Sequence, residues 1–160
     1  MDLGFVVFKD LEASVVARFT DQAIVESRPK EGGHTFTVAD RSVKDLFTYR
    51  AYIENVIDGD TLKARIDQGF GIWNRQVLRL RDIDAPEAGT REGDAARTFV
   101  RSLLKEASLI ILRSSKSDKY DRYLADIFIP RDNATGAKGP TREIYLNNLL
   151  LEKGYARRVS

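Results

Sequence analysis

Residues 49–80 hold three β-patterned runs divided by two short glycine-bearing breaks, and nothing else in the chain limits the fold as strongly. Residues 49–56 form the first run, which Asp58-Gly59 interrupts. Residues 61–66 alternate polar and apolar side chains as a half-buried strand does. Asp67-Gln68-Gly69-Phe70-Gly71 then supplies a glycine-rich turn, and residues 72–80 read as a third strand. Links this short join antiparallel neighbours, because a parallel return needs a crossover of about a dozen residues or more. The pattern predicts a meander.

A helix is expected over residues 92–107, where Ala96, Phe99, Val100, Leu103, Leu104 and Ala107 fall on one apolar stripe. Residues 109–112 and 124–129 read as two further strands, separated by a polar loop over 114–122. Residues 130–142, with two prolines and two glycines, read as a hairpin tip or loop. Residues 146–153 make a short helix that Gly154 can end. Three strands, a helix and two strands predict a mainly β fold with α-helices packed on it, a five-stranded closed barrel of OB type. Residues 1–48 are read as an N-terminal extension, either a separate layer or the tail of an upstream domain. Within them, 5–8, 14–19 and 23–25 could be short strands and 38–47 a helix. The barrel domain spans 49–160.

Composition removes several classes of function. The chain has 160 residues, enough for one domain, with 42% hydrophobic and 31% charged side chains. No apolar run reaches transmembrane length, and residues 1–8 lack the basic start of a signal peptide, so the expected compartment is cytoplasmic by default and no membrane partner is expected. The chain has no cysteine, which excludes disulfides, thiolate metal sites and cysteine nucleophiles. Its one histidine, His34, follows Gly32-Gly33 and reads as an exposed loop residue rather than a base. The net charge of +2 is unevenly spread: residues 51–160 hold 19 Lys+Arg against 16 Asp+Glu, and residues 1–50 hold 7 against 8. A local basic groove offset by an acidic cation site fits that distribution.

Two segments carry the chemistry. Val56-Ile57-Asp58-Gly59-Asp60-Thr61 and Leu78-Arg79-Leu80-Arg81-Asp82-Ile83-Asp84-Ala85-Pro86-Glu87 each put carboxylates at a strand end beside a residue that bends the backbone. Acids brought together repel unless a hard cation sits between them, and an arginine fork suits a phosphate. Together they suggest phosphoryl chemistry. Plainer accounts stand beside this one. Asp58 can serve the turn through side-chain to backbone bonds, and Arg79 can belong to a solvated basic face with Arg75 and Arg81. A calcium EF-hand does not fit, since Leu62 and Lys63 replace the residues its loop needs. Trp73 and Phe70 read as barrel packing rather than a base-stacking platform, and the triplet Asn133-Ala134-Thr135 is a glycosylation sequon without a secretory context.

The set Asp58-Gly59-Asp60-Thr61, Arg79 followed by Asp84-Ala85-Pro86-Glu87, and Asp118-Lys119-Tyr120-Asp121-Arg122 resembles the staphylococcal nuclease (thermonuclease-like) family in order and spacing. Residues 147–156, reading Asn-x-x-Leu-x-x-x-Gly-x-Ala, add to the likeness, which covers about residues 50–159. The resemblance implies an OB-fold nuclease that hydrolyses phosphodiester bonds of DNA and RNA with calcium (Ca2+) and little sequence specificity, an endonuclease by expectation. By position, Asp60, Asp84 and the main-chain carbonyl of Ala85 would hold the metal. Glu87 would activate water, Arg79 and Arg122 would grip the reacting phosphate, and Lys119 and Tyr120 would flank the bound nucleotide. Asp121 stands where the family usually has glycine. The family's last helix and base-stacking tyrosines would fall at or beyond Ser160, so either residues 1–48 substitute for that helix or the chain is a fragment of a longer protein. The alternative is a non-catalytic module that binds nucleic acid or protein within a longer chain. DNA or RNA preference and oligomeric state are not legible.

Overall fold

A computed structural model describes residues 1–42, 46–105, 109–117, 122–130 and 143–159. Two compact units divide the chain, Met1–Phe47 and Thr48–Ser160. Unit one contains a one-turn helix α1 (Ala13–Val16) and a hairpin of β1 (Val25–Lys30) with β2 (Gly33–Val38). The expected strands over 5–8 and 14–19 do not form: Phe8 makes only an isolated bridge to Asp2, and 13–16 is helical. Val38 ends β2 instead of opening a helix; residues 43–45 of that expectation lie outside the described set. His34 sits half-buried on β2 opposite Pro29, not in a loop, because Gly32 and Gly33 make the turn before it.

In unit two the meander forms as β3 (Thr48–Val56), β4 (Thr61–Asp67) and β5 (Trp73–Leu80). A two-residue strand β6 (Ile83–Asp84) leads to helix α2 (Arg91–Lys105), followed by β7 (Ile110–Ser117), β8 (Tyr123–Pro130), β9 (Glu143–Tyr145), α3 (Leu146–Glu152) and β10 (Arg157–Arg158). The sheet order β5-β4-β3-β7-β8-β9 closes on itself because β8 also pairs with β5 in parallel, Leu78 opposite Tyr123 and Leu80 opposite Ala125. Five strands therefore form the expected closed barrel, with β9 added to the far end of β8. Alternation fills its interior: Leu62, Ala64 and Ile66 from β4 and Leu78 and Leu80 from β5 are buried, as are Leu112 and Ile127 across the barrel. Each such leucine or isoleucine contributes about 1.5–3 kcal/mol by leaving water. Among the described residues no helix is long and apolar enough to cross a membrane.

The expected polar loop over 114–122 is corrected at its start. β7 runs on to Ser117, pairing Ser114 with Ala125 and, past a bulge, Ser117 with Tyr123. Backbone pairing with β8 extends this strand, so an apolar side-chain pattern never marked it. Residues 118–121 and 131–142, and with them the expected hairpin tip, lie outside the described set. Between β4 and β5 the turn bends through Gly69, Phe70 and Gly71, all at positive φ, with Gly69 N–H donating to the Asp67 carboxylate at 2.9 Å. Trp73 is not barrel packing: it is 46% exposed on the outer face.

Asn147, on α3 and 1% exposed, joins helix to barrel. Its amide donates to the carbonyls of Ala125 at 3.0 Å and Arg81 at 3.2 Å, and its carbonyl oxygen accepts from Ile127 N–H at 3.2 Å. The helix then ends in a Schellman turn at Gly154 (φ 71), whose N–H reaches Leu151 O while Tyr155 N–H reaches Leu150 O. Just before it, the Tyr145 hydroxyl donates to Asp126 at 2.8 Å.

Asn147→Ala should lower stability by about 1–3 kcal/mol or more, since it strands the buried Ile127 N–H, and urea unfolding measures it. Burial and the Asp126 carboxylate push the Tyr145 phenol up to about 12. A pKa raised by folding contributes stability that is complete below the unfolded value near 10 and is lost as pH climbs towards the folded one. The stability difference between wild type and Tyr145→Phe should therefore shrink between about pH 10 and 12. A difference that stays constant over that interval would show that the phenol is not perturbed.

Candidate functional site

Asp60 is wholly buried at the entrance to β4, and each of its oxygens is occupied. Oδ1 accepts from the Thr61 hydroxyl at 3.0 Å and from Arg79 Nη1 at 2.5 Å, and Oδ2 accepts from Ala85 N–H at 2.5 Å. The turn that carries it is tight: Ile57 and Asp58 N–H both donate to the Thr61 carbonyl, at 2.9 and 3.1 Å. Gly59 is required there by packing. A Cβ on it would stand 2.8 Å from Ala96 Cβ and 2.9 Å from Ala85 Cβ, so α2 and the loop after β6 close directly onto the turn.

Asp84 arrives from β6, after Asp82 takes a left-handed conformation (φ 59) that its short polar side chain tolerates. Its Oδ1 accepts from Arg79 Nη2 at 2.6 Å, and its Oδ2 accepts from Arg157 Nε at 3.1 Å and Nη2 at 2.8 Å. The two acids thus converge on a single cation, the Arg79 guanidinium, with one terminal nitrogen on each. Arg157 stands opposite Asp84 because β10 pairs with β6. Burial pushes the Asp60 carboxyl above the usual carboxylate range, against the opposing pull of Ala85 N–H, Arg79 and Thr61. The Arg157 hydrogen bonds, followed by Arg79, hold Asp84 below it.

Glu87 is exposed on a loop anchored from three directions. Ala88 N–H donates to Asp58 Oδ1 at 3.1 Å, Gly89 N–H donates to Asp94 Oδ1 at 3.1 Å, and the Glu87 carbonyl accepts from the Thr90 hydroxyl at 2.8 Å. Thr90 also caps α2, its oxygen accepting Gly93 N–H at 3.0 Å. Asp58 is therefore a long-range anchor for this loop rather than a local turn acid. Arg122 is half-buried just ahead of β8, the strand whose Leu124 pairs with Arg79. Lys119 and Tyr120 lie outside the described residues.

Asp60, Arg79, Asp84 and Ala85 are in direct contact; Glu87 follows Ala85 by two residues on the anchored loop, and Arg122 directly precedes β8, the strand paired with β5. Arg157 escaped sequence reasoning: no spacing links it to Asp84 across 73 positions, and only the β6–β10 pairing does. The two carboxylates are hard oxygen donors, suited to a divalent cation of the calcium type, and Ala85 turns its N–H to Asp60 beside them. Among the described residues no group of three or more acids, histidines or cysteines could hold a metal, so such an ion would rest on these two acids with backbone and solvent oxygens.

Residues 77–160 match a sequence model of the family described as staphylococcal nuclease homologue. Over 117 residues the chain is 28% identical to a micrococcal nuclease of Shigella flexneri, covering 72% of this chain and 61% of that protein. An uncharacterized protein of Methanocaldococcus jannaschii is 30% identical over 134 residues, 68% of this chain and 58% of its own. One from Bacillus anthracis is 27% identical over 123 residues, 72% and 50% respectively. The chain spans between half and about three fifths of the length of these relatives.

Gly59→Ala should cost about 1–3 kcal/mol by overpacking the turn, seen as a lower denaturation midpoint. Arg157→Ala should raise the pKa of Asp84. A depressed carboxylate contributes stability above its unfolded value near 3.9 that is lost as pH falls through the folded one. The variant should therefore lose less stability than wild type on acidification, and a carboxyl NMR titration that leaves Asp84 unmoved would refute the pairing.

Proposed function

The chain belongs to the staphylococcal nuclease homologue family, and from that premise we propose that it is a calcium-dependent nuclease cleaving DNA or RNA internally with little sequence preference. One observation supports this above the others: a buried and a half-buried carboxylate, delivered by separate strand ends, converge on one cationic position beside an anchored loop that presents a free-standing glutamate.

In this reading Asp60, Asp84 and the Ala85 carbonyl hold calcium, which when bound neutralises phosphate charge and polarises a phosphate oxygen. Arg79 has both terminal nitrogens on carboxylates, and gripping a phosphate means exchanging one oxyanion for another, which its planar fork suits. Arg122, just ahead of the strand that pairs with β5 at Arg79, supplies the second fork for charge building on the equatorial oxygens. Glu87 takes the proton from the attacking water at its carboxylate, and Asp58, Thr90 and Asp94 keep its backbone in place while it does so. Lys119 and Tyr120 flank the nucleotide. The unit 1–47 is proposed as an extension outside the nuclease domain.

Chelator should abolish nicking of a closed circular plasmid and calcium should restore it. Asp60→Ala should remove calcium binding, followed by calorimetry. Glu87→Gln and Arg122→Lys should each lower kcat by roughly a hundredfold or more, the scale of a lost general base or a lost oxyanion donor. Undiminished cleavage in excess chelator would remove the metal from this reading. Nucleic-acid binding without any cleavage in calcium would favour the non-catalytic module.

A further inference from the structure

The alternation that buries Leu62, Ala64 and Ile66 turns Lys63, Arg65 and Asp67 to the outside of the barrel, and β3 and β5 follow the same rule. On that outer face Tyr52 stands opposite Arg65, and Trp73 stands opposite Asp67 two residues along. The two ring centres lie 5.8 Å apart, with the Arg65 guanidinium carbon 5.4 Å from the tyrosine ring and 4.9 Å from the indole. Its Nε is buried and donates no hydrogen bond, so the aromatic faces orient it as a cation on π-systems. Both rings remain open to solvent, Tyr52 at 38% and Trp73 at 46%.

Charge around the rings is mostly basic. Arg50, Lys63, Arg65 and Arg75 face outward with Glu54 and Asp67; Glu54 and Arg75 pair with each other at 2.8 Å, which leaves Arg50, Lys63 and Arg65 against Asp67. The same side of β5 carries Trp73, Arg75, Val77 and Arg79 at every second residue, which places the indole about 20 Å from the acid site along one strand. Exposed aromatics set in a basic field match a polyanion that carries flat bases. A duplex hides those base faces in its own stack, whereas a single strand offers them.

We propose that this outer face, centred on Trp73, Tyr52 and Arg65, is a stacking platform for bases of a single-stranded nucleic acid whose reacting phosphate lies at Arg79. The proposal rests on the nuclease reading and extends it to substrate class: single strands long enough to reach the platform are held more tightly than short ones.

The chain has one tryptophan, so its emission reports on Trp73 alone. An oligothymidylate of about 12 nucleotides, within the footprint of an OB-fold, added in excess chelator should quench that emission to saturation. Trp73→Ala and Tyr52→Ala should each weaken its binding about fivefold to a hundredfold, the range for one lost base stack, and Trp73→Phe should recover most of the loss. An abasic deoxyribose-phosphate oligomer of equal length should bind wild type and Trp73→Ala alike. In calcium, Trp73→Ala should lower kcat/KM on the long strand while cleaving a dinucleotide as wild type does. Unchanged affinity in both alanine variants with no quench overturns the platform and leaves cleavage at the acids standing. Quenching by a proline-rich peptide but not by the oligomer also overturns it, assigning the face to a protein partner. Wild type that neither cleaves nor binds any oligomer removes the nuclease reading, and the platform with it.

Discussion

Asp60 is a carboxylate with no exposure, and the acid site is organised by the need to satisfy it. Burying an ionised group without partners is prohibitive, so its oxygens draw donors from three places: Thr61 on β4, Arg79 on β5 and the backbone of Ala85 after β6. Strand end, neighbouring strand and following loop are thereby held to one point. Leu80 N–H donates to the Asp60 carbonyl at 2.7 Å, which ties the end of β5 to the same residue through its backbone. Removing any one partner would leave charge stranded in the interior, which is why the cluster acts as a unit.

A second set of bonds depends on that point being fixed. With Gly59 against Ala85 and Ala96, α2 packs directly on the turn with no room for a side chain between them. Its Thr90 cap and Asp94 carboxylate then reach back to the peptide groups of residues 87 and 89. The glutamate side chain is exposed, yet the backbone that carries it is not loose. Gly93 is needed for the same reason, because a Cβ there would collide with the Glu87 carbonyl. Rigidity in the supporting shell with an open side chain suits the role proposed for Glu87, taking a proton from a water molecule.

The barrel contributes a division of labour between its two faces. Alternation along β4 and β5 sends leucine, isoleucine and alanine inward, and the same period sends Arg79, Arg75 and Trp73 outward along one line. Acid site and aromatic cluster both follow from one strand pattern, and β5 closes the barrel on β8 at its Arg79 end.

Residue pattern alone settled the meander, the amphipathic α2 and the short α3 with its glycine stop, because each is written in local periodicity or local turn chemistry. The convergence of Asp60, Arg79 and Asp84 was legible because their motifs sit at strand ends and resemble a known family. Other features had no local signal. β7 continues through polar Ser114 to Ser117 because pairing is made by backbone, which side-chain polarity does not report. Trp73 carries the same hydrophobicity whether it faces the barrel interior or its outside, and only its register against Asp67 decides that it faces out. Arg157 meets Asp84 through a two-residue strand too short to leave a period in the sequence. Local composition determined which elements form and which chemistries are available; the pairing of distant strands decided which charges meet, since contact across a closed barrel is set by register and not by proximity along the chain.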